Sequence, residues 1–226
     1  MFGICRKLNK VAIGWSSGKD SALTFYRLMR SNEFIPAALF TTYNSTSDRL
    51  PIQGSRIEAV RKQAQAIGLP LIEIDLPESC PNEEYERRVT SALSSHKEEF
   101  SSLAFGDLFL DGIKEYRESF LNPAGFELIF PLMGIPTEEL ANEIVNLGLK
   151  ARICSVDSTQ LDPKFIGREF DKKLLNDLPE NVDLCGENGE FHTFVYDGPI
   201  FKTRPMIEFK EPKNLGRFTF LEMATL

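Results

Sequence analysis

The sequence predicts an α/β protein: a parallel five-stranded sheet flanked by helices over residues 1–135, then a smaller α+β unit over residues 136–226. Three observations predict this class. Short apolar runs alternate with stretches of helical spacing through the first half. Those runs end in small, polar or acidic residues, where a strand gives way to a loop. After Pro136 the rhythm changes to short strands and turns. Strands alternating with helices pair in parallel, because each right-handed crossover lays a helix on a sheet face. No flexible linker marks the change, so the boundary near residue 135 is soft.

Residues 10–15 (KVAIGW) read as the first strand. Residues 20–30 follow with helical spacing of Ala22, Leu23, Tyr26, Leu28 and Met29. Residues 35–42 (IPAALFTT) read as the second strand and 56–67 as a helix, stopped by Gly68-Leu69-Pro70. Residues 71–76 (LIEIDL) are the third strand, and 82–100 a long polar helix after Pro81. Residues 101–106 (SSLAFG) and 128–131 (LIFP) complete the sheet. In the second unit, helices at 137–147 and 163–178 flank a strand at 151–156. Short strands at 191–196, 206–209 and 218–221 follow, with 213–216 (KNLG) as a turn. Open α/β sheets bind ligands at the carboxyl ends of their strands, so chemistry is sought directly after each strand.

The 226 residues are 42% hydrophobic and 26% charged, which excludes disorder, collagen and a coiled coil. Lys plus Arg number 26 against 33 Asp plus Glu, a net charge of −7 that argues against general nucleic-acid binding. No apolar run approaches the ~20 residues that cross a bilayer. Residues 1–10 lack the apolar core of a signal peptide. The expectation is a cytoplasmic protein with no membrane partner. Cys5, Cys80, Cys154 and Cys185 are scattered without a CxxC, and His96 and His192 show no zinc-ligand spacing. Free thiols in a reducing compartment follow.

The densest chemistry is Ser16-Ser17-Gly18-Lys19-Asp20-Ser21, between the first strand and the first helix. A helix N-terminus offers unpaired N–H groups and partial positive charge, which attract phosphate. Gly18 lets backbone approach an anion, the hydroxyls add hydrogen bonds, and Asp20 can hold magnesium. A Walker A loop needs four residues between its glycines and Ser or Thr after the Lys. Here three residues separate Gly14 from Gly18, and Asp20 follows Lys19. The G-x-G-x-x-G fingerprint is missing too. A plain cap competes, because Ser17-x-x-Asp20 fits a capping box. The strand-end position and the density of Ser and Gly favour phosphate.

Two further features end strands or precede them. Gly106-Asp107 closes the fourth strand, where a simple turn is an equal reading. Downstream stand Glu115, Arg117 and Glu118. Arg117 can grip a phosphate or carboxylate bidentately, or serve as a surface helix charge. Residues 183–193 (DLCGENGEFHT) gather Glu187, Glu190 and His192 around Gly186 and Gly189, where a solvated acidic turn is the plainer reading.

Ser16 to Ser21 resembles the SGGxDS loop of the PP-loop ATP pyrophosphatases, with Ser17 in place of the first Gly. These enzymes cleave ATP between the α and β phosphates. With Phe105-Gly106-Asp107, Phe130 to Gly134 and Cys185 to Phe194, the chain resembles the diphthine–ammonia ligase family from about residue 10 to about residue 210. The resemblance implies a PP-loop (adenine nucleotide alpha hydrolase-like) domain followed by a family-specific C-terminal domain. It implies ATP with Mg2+, adenylation of the carboxylate of diphthine on translation elongation factor 2, and displacement of AMP by ammonia. Residues 186–193 (GENGEFHT) depart from the family's frequent GEGGEYET. Asn188 and His192 look like the bacterial-type relatives, which implies another carboxylate or simpler nucleotide hydrolysis.

The implied nucleotide contacts are Trp15, Ser16, Ser17, Gly18, Lys19, Asp20, Ser21, Thr41 and Gly106. Trp15, Phe40 and Thr41 are candidates for adenosine, although Phe40 reads better as core. Lys19 stabilises charge on departing pyrophosphate. Asp20 and Asp107 hold magnesium. Lys19, Asp107 and Glu190 are the implied catalytic set, and Arg117, Glu187, Glu190 and His192 face the acceptor. Glu187 and Glu190 bind a cationic group or take a proton from ammonia, and His192 reads equally as a plain strand residue. With no glutaminase segment in view, ammonia is expected free or from a separate donor. The acceptor is a carboxylate on a protein side chain or small molecule, and a homodimer is left open. Three other readings compete. tRNA thiolation or lysidine formation sits poorly with the net charge and the scattered cysteines. A non-catalytic nucleotide sensor does not need Lys19, Asp20 and Asp107 together. An alpha hydrolase acting on another small substrate is the third.

Overall fold

The computed structural model describes residues 8–108 and 112–226. Cys5 and most of the stretch read against a signal peptide lie outside the described residues. Strands β1 (Asn9–Gly14), β2 (Phe34–Asn44), β3 (Leu71–Leu76), β4 (Ser102–Ala104) and β5 (Glu127–Ile129) form one parallel sheet in the order β3-β2-β1-β4-β5. Val11, Ala12 and Ile13 of β1 are fully buried, because helices cover both faces of the central strand. Pro36 lacks the N–H that a ladder needs, and the β1–β2 register shifts between Val11 and Ala12 beside it. After β3 the chain crosses to the other side of β1 to lay down β4. That reversal opens a crevice at the carboxyl ends of β1 and β4.

Helices α1 (Lys19–Met29) and α2 (Ile57–Ile67) contribute Leu23, Phe25, Ile57 and Val60 to a core shared with the second unit. Helices α3 (Asn82–Ser94) and α4 (Ile113–Leu121) place Val89, Leu93 and Leu121 in a second cluster with Phe40 and Phe126. The second unit comprises α5 (Thr137–Asn146), β6 (Lys150–Asp157), a 3-10 turn (Pro163–Phe165), α6 (Lys172–Asp177), β7 (Phe191–Asp197), β8 (Ile207–Leu215) and β9 (Phe218–Thr225). Its four strands pair antiparallel in the order β7-β6-β9-β8.

The structure corrects three sequence expectations and adds one helix. The helix expected over 82–100 ends at Ser94, and 95–99 form turns. The helix expected over 163–178 is two short pieces, because Asp162 and Asp171 each cap a separate start. Gly167 between them has φ 75°, and Arg152 bridges Glu169. The turn expected at 213–216 is narrower, since Lys213 to Leu215 belong to β8 and only Gly216 is left-handed. Helix α4 was not foreseen as an element: of its side chains only Leu121 is buried, so its apolar stripe is faint.

Candidate active site

The β1–α1 loop stands at the reversal point. Gly18 precedes α1 on extended backbone with no side-chain cap, so the capping-box reading of Ser17 fails. Ser17 has φ 69°, a left-handed conformation that disfavours a side chain. Its hydroxyl donates to Ser55 Oγ at 3.1 Å and its carbonyl accepts from Val195 N at 3.0 Å. Ser16 Oγ donates to Ser21 Oγ at 3.2 Å. Gly106 has a packing reason: a Cβ there would lie 2.9 Å from the Asp20 carbonyl carbon, so the end of β4 can press on the first turn of α1 only without a side chain.

The second unit completes this loop. Lys19 N donates to Thr193 Oγ1 at 3.1 Å. Gln63, fully buried on α2, accepts from Trp15 Nε1 at 2.8 Å and donates to the Ser17 and Val195 carbonyls at 3.1 and 2.6 Å. Sequence reasoning gave Gln63 and Thr193 no role. Their signal is only a polar residue on an otherwise apolar face, which pattern alone does not resolve.

Lys19 is 2% exposed. Its Nζ donates to Asp20 Oδ2 at 2.8 Å and to the Cys185 carbonyl, with the Phe170 and Phe191 rings 5.8 and 5.9 Å away. Burial opposes its charge, but Asp20, Cys185 and Glu187 together hold its pKa above the ordinary value. Burial pushes the Asp20 carboxyl upward against the pull of Lys19. Asp20 Oδ1 is buried and has no hydrogen-bond partner among the described residues.

Across the cleft lies the acidic loop, and its three carboxylates divide the work. Asp183 accepts from Cys185 N (2.7 Å), Glu187 N (3.2 Å) and Thr137 Oγ1 (2.6 Å). Glu190, 2% exposed, accepts from Asp183 N and Asn188 N, both at 2.9 Å, and from Asn188 Nδ2 at 3.0 Å. Both therefore shape the turn. Glu190, expected to be catalytic and to face the acceptor, holds its carboxylate in these loop hydrogen bonds, and it is Glu187 that lines the cleft. Gly186 (φ 74°) turns where a Cβ would sit 2.5 Å from the Phe191 carbonyl oxygen. Glu187 lines the cleft, and burial followed by the nearby Asp20 charge pushes its pKa up to about 8. An Asp two residues before an N–H, followed by Gly, is an Asx-turn signature and was the available clue.

The remaining site residues fall as follows. Asp107 accepts from Arg117 Nε at 2.7 Å and Nη2 at 3.2 Å, and the Arg117 guanidinium stacks 4.1 Å from the Phe105 ring centroid. Asp107 thus forms an ion pair with Arg117, and both it and Asp20 line the cleft. His192 borders the cleft, and burial drives its pKa down to about 4, so its imidazole is neutral. Thr41 and Trp15 both line the cleft, and Trp15, 2% exposed, also packs into the core. The cleft encloses about 550 Å3, within the usual range of small-molecule sites.

Among the described residues no three His, Cys, Asp or Glu side chains form a metal-binding group. Asp20 Oδ1 still fits a magnesium ion, which characteristically takes one or two protein carboxylates and fills its shell with phosphates and water. No helix among the described residues is long and apolar enough to cross a membrane.

A strand order of β3-β2-β1-β4-β5 with a Ser/Gly-rich loop between β1 and α1 defines a PP-loop-type α/β fold. A family model described as the diphthamide synthase N-terminal domain matches residues 9–127, and one described as the diphthamide synthase C-terminal domain matches 136–222. The chain belongs to the diphthamide synthase family. A protein named diphthine–ammonia ligase from Bos taurus is 28% identical over 139 residues, 59% of this chain and 52% of that protein. The chain thus spans about half the length of the first such relatives. The relative of that name from Rattus norvegicus is 25% identical over 243 residues, 96% of this chain and 90% of that one. A solved structure described as a predicted subunit of tRNA methyltransferase from Methanocaldococcus jannaschii overlaps with a TM-score of 0.42 at 21% identity, covering 61% of this chain and 74% of that one.

Proposed function

We propose that the protein is an ATP-dependent, AMP-forming ligase that amidates a carboxylate with ammonia, as the name of its relatives describes for diphthine. The observation that carries this reading is the Ser16–Ser21 loop at the sheet reversal, with Lys19 held charged beside an unpartnered Asp20 oxygen. ATP lies across the strand ends with its phosphates on that loop. An acceptor carboxylate oxygen bonds the α-phosphorus while the α–β bridge breaks and pyrophosphate leaves. Lys19 and the N-terminus of α1 stabilise the departing charge. Asp20 holds magnesium, which supplies neutralisation of the phosphates when bound. Ammonia nitrogen then bonds the acyl carbon, AMP leaves, and the nitrogen sheds one proton. Glu187, with its pKa near neutrality and its side chain on the cleft, takes that proton.

Arg117 and His192 lie toward the acceptor side of this reading. The acceptor is diphthine or another carboxylate, and the site is expected in the cytoplasm. Chromatography of the nucleotide products tests it. AMP with pyrophosphate is expected, with turnover dependent on ammonium and an acceptor, and ADP with orthophosphate would refute it.

A further inference from the structure

The loop between β2 and α2 carries a feature that the ligase reading leaves unused. Ile52 has φ 69°, and Gln53 N donates to the Pro51 carbonyl at 2.7 Å across it. This is a γ-turn with a positive-φ centre, the rare and strained hand. A β-branched residue in that conformation is a genuine outlier. Ile52 is also 67% exposed, so no burial of its side chain offsets the strain. Such strain persists only where the surroundings fix it, and it concentrates at ligand clamps.

The surroundings here do fix it. Leu50 and Ser55 on either side are buried, and Leu50 N donates to the Ser55 carbonyl at 2.8 Å. Arg49 reaches from the Gly54 carbonyl (2.6 Å) to both oxygens of Glu222 on β9 (2.7 and 3.0 Å). Gly54 packs so tightly on Phe220 that a Cβ would lie 2.4 Å from the ring. The base of the loop is therefore bolted to the second unit, and the tip holds an apolar side chain at the edge of the cleft.

The cleft has two unlike halves on either side of the Ser16–Ser21 loop. Toward β4 it is lined by Asp107, Arg117 and Glu187, and toward β2 by Thr41, Pro51 and Ile52. The phosphates of a nucleotide belong in the middle, at α1. An uncharged planar base belongs in the neutral half, where it keeps its apolar faces from water and disturbs no ion pair. We infer that Ile52 is an apolar clamp on the nucleobase, held over the cleft by a strained γ-turn that lowers the stability of the ligand-free protein. This rests on the ATP reading above.

The test compares wild type, Ile52→Gly and Ile52→Val, using calorimetry with α,β-methylene-ATP and with inorganic tripolyphosphate, which lacks a base. Glycine relieves the strain and removes the clamp. Ile52→Gly is expected to raise the ligand-free Tm by about 2–4 °C. It is expected to weaken the ATP analogue on the order of tenfold and to leave tripolyphosphate unchanged. Ile52→Val should bind the analogue within about threefold of wild type. Unchanged analogue affinity in Ile52→Gly, an equal loss for both ligands, or a fall in Tm would overturn the clamp. Wild-type protein that fails to bind the analogue would refute the nucleotide reading itself, and the clamp with it, before any substitution is made.

Discussion

Two loops of the cleft handle charge in opposite ways. At the β1–α1 loop, Lys19 and Asp20 neutralise each other, and Lys19 also holds the Cys185 carbonyl of the facing loop. At the acidic loop, Asp183 and Glu190 are saturated by N–H and O–H donors, while Glu187 faces the cleft with its pKa raised to about 8. The first keeps Lys19 ionised and in place before any ligand arrives, which suits a polyanion. The second keeps one group near its titration point, which suits proton transfer. Similar residue types thus serve unlike purposes, because in one case the neighbours are side-chain counter-charges and in the other the loop's own backbone.

The contrast breaks most sharply at Lys19. Lys19→Met leaves the partly buried Asp20 without its partner, a change that typically costs about 3–5 kcal/mol where both groups are fully buried and less here. A fall in the urea midpoint is expected together with loss of turnover. A midpoint within error of wild type would mean that the pair is not a structural element. On the acidic loop, Glu187→Gln keeps shape and removes the titrating group. Turnover should fall on the order of a hundredfold, about 2.7 kcal/mol, with affinity for an ATP analogue within about threefold.

The pH dependence of Glu187 sharpens the point. As a base it acts ionised, so turnover at constant free ammonia should rise with pH through about 8, and this limb should vanish in the Gln variant. Its folded pKa lies above the ordinary 4.5, so the folded state binds more protons between 4.5 and about 8. Stability contributed by the neutral carboxyl is complete below 4.5 and is lost as pH rises through about 8. A wild-type profile identical to that of Glu187→Gln would remove the proton-transfer role.

Smaller effects separate building residues from working ones. Glu190→Ala strips acceptors from the Asp183 and Asn188 N–H groups and should cost about 1–3 kcal/mol in thermal or urea unfolding. Glu190→Gln keeps one acceptor oxygen and should lose less. If both variants kept full stability but lost turnover, Glu190 would return to the chemistry. Ser17→Gly has the smallest expected effect. It relieves a left-handed conformation worth ~1–2 kcal/mol but loses the hydroxyl bond to Ser55 and adds freedom to the unfolded chain. A net change within about 0.5 kcal/mol is expected, and a large loss would show that the hydroxyl, not the backbone, is what the loop requires.

Much of this architecture is legible in residue order. The alternation from residue 10 to residue 131 follows from burying a sheet on both faces, and the Ser16–Ser21 loop is local: strand end, small residues and helix start are adjacent in the chain. Glu187 was legible for the same reason. Ionisable residues around two glycines draw notice, although the notice fell equally on Glu190, because a carboxylate that organises a turn and one that faces a cleft have the same composition.

What only the tertiary structure decided are the long-range pairings. Thr193 meets Lys19 N, Gln63 joins Trp15, Ser17 and Val195, and Arg117 pairs with Asp107. The left-handed Ser17 and Ile52 belong to the same class, since nothing in the identity of Ser or Ile calls for positive φ. Hydrophobic period and turn chemistry act within a few residues and so can be read along the chain. Hydrogen-bond partners and strain are settled by whichever groups the packed core brings together, and a buried polar atom accepts the partner it is given because leaving it unpaired costs more.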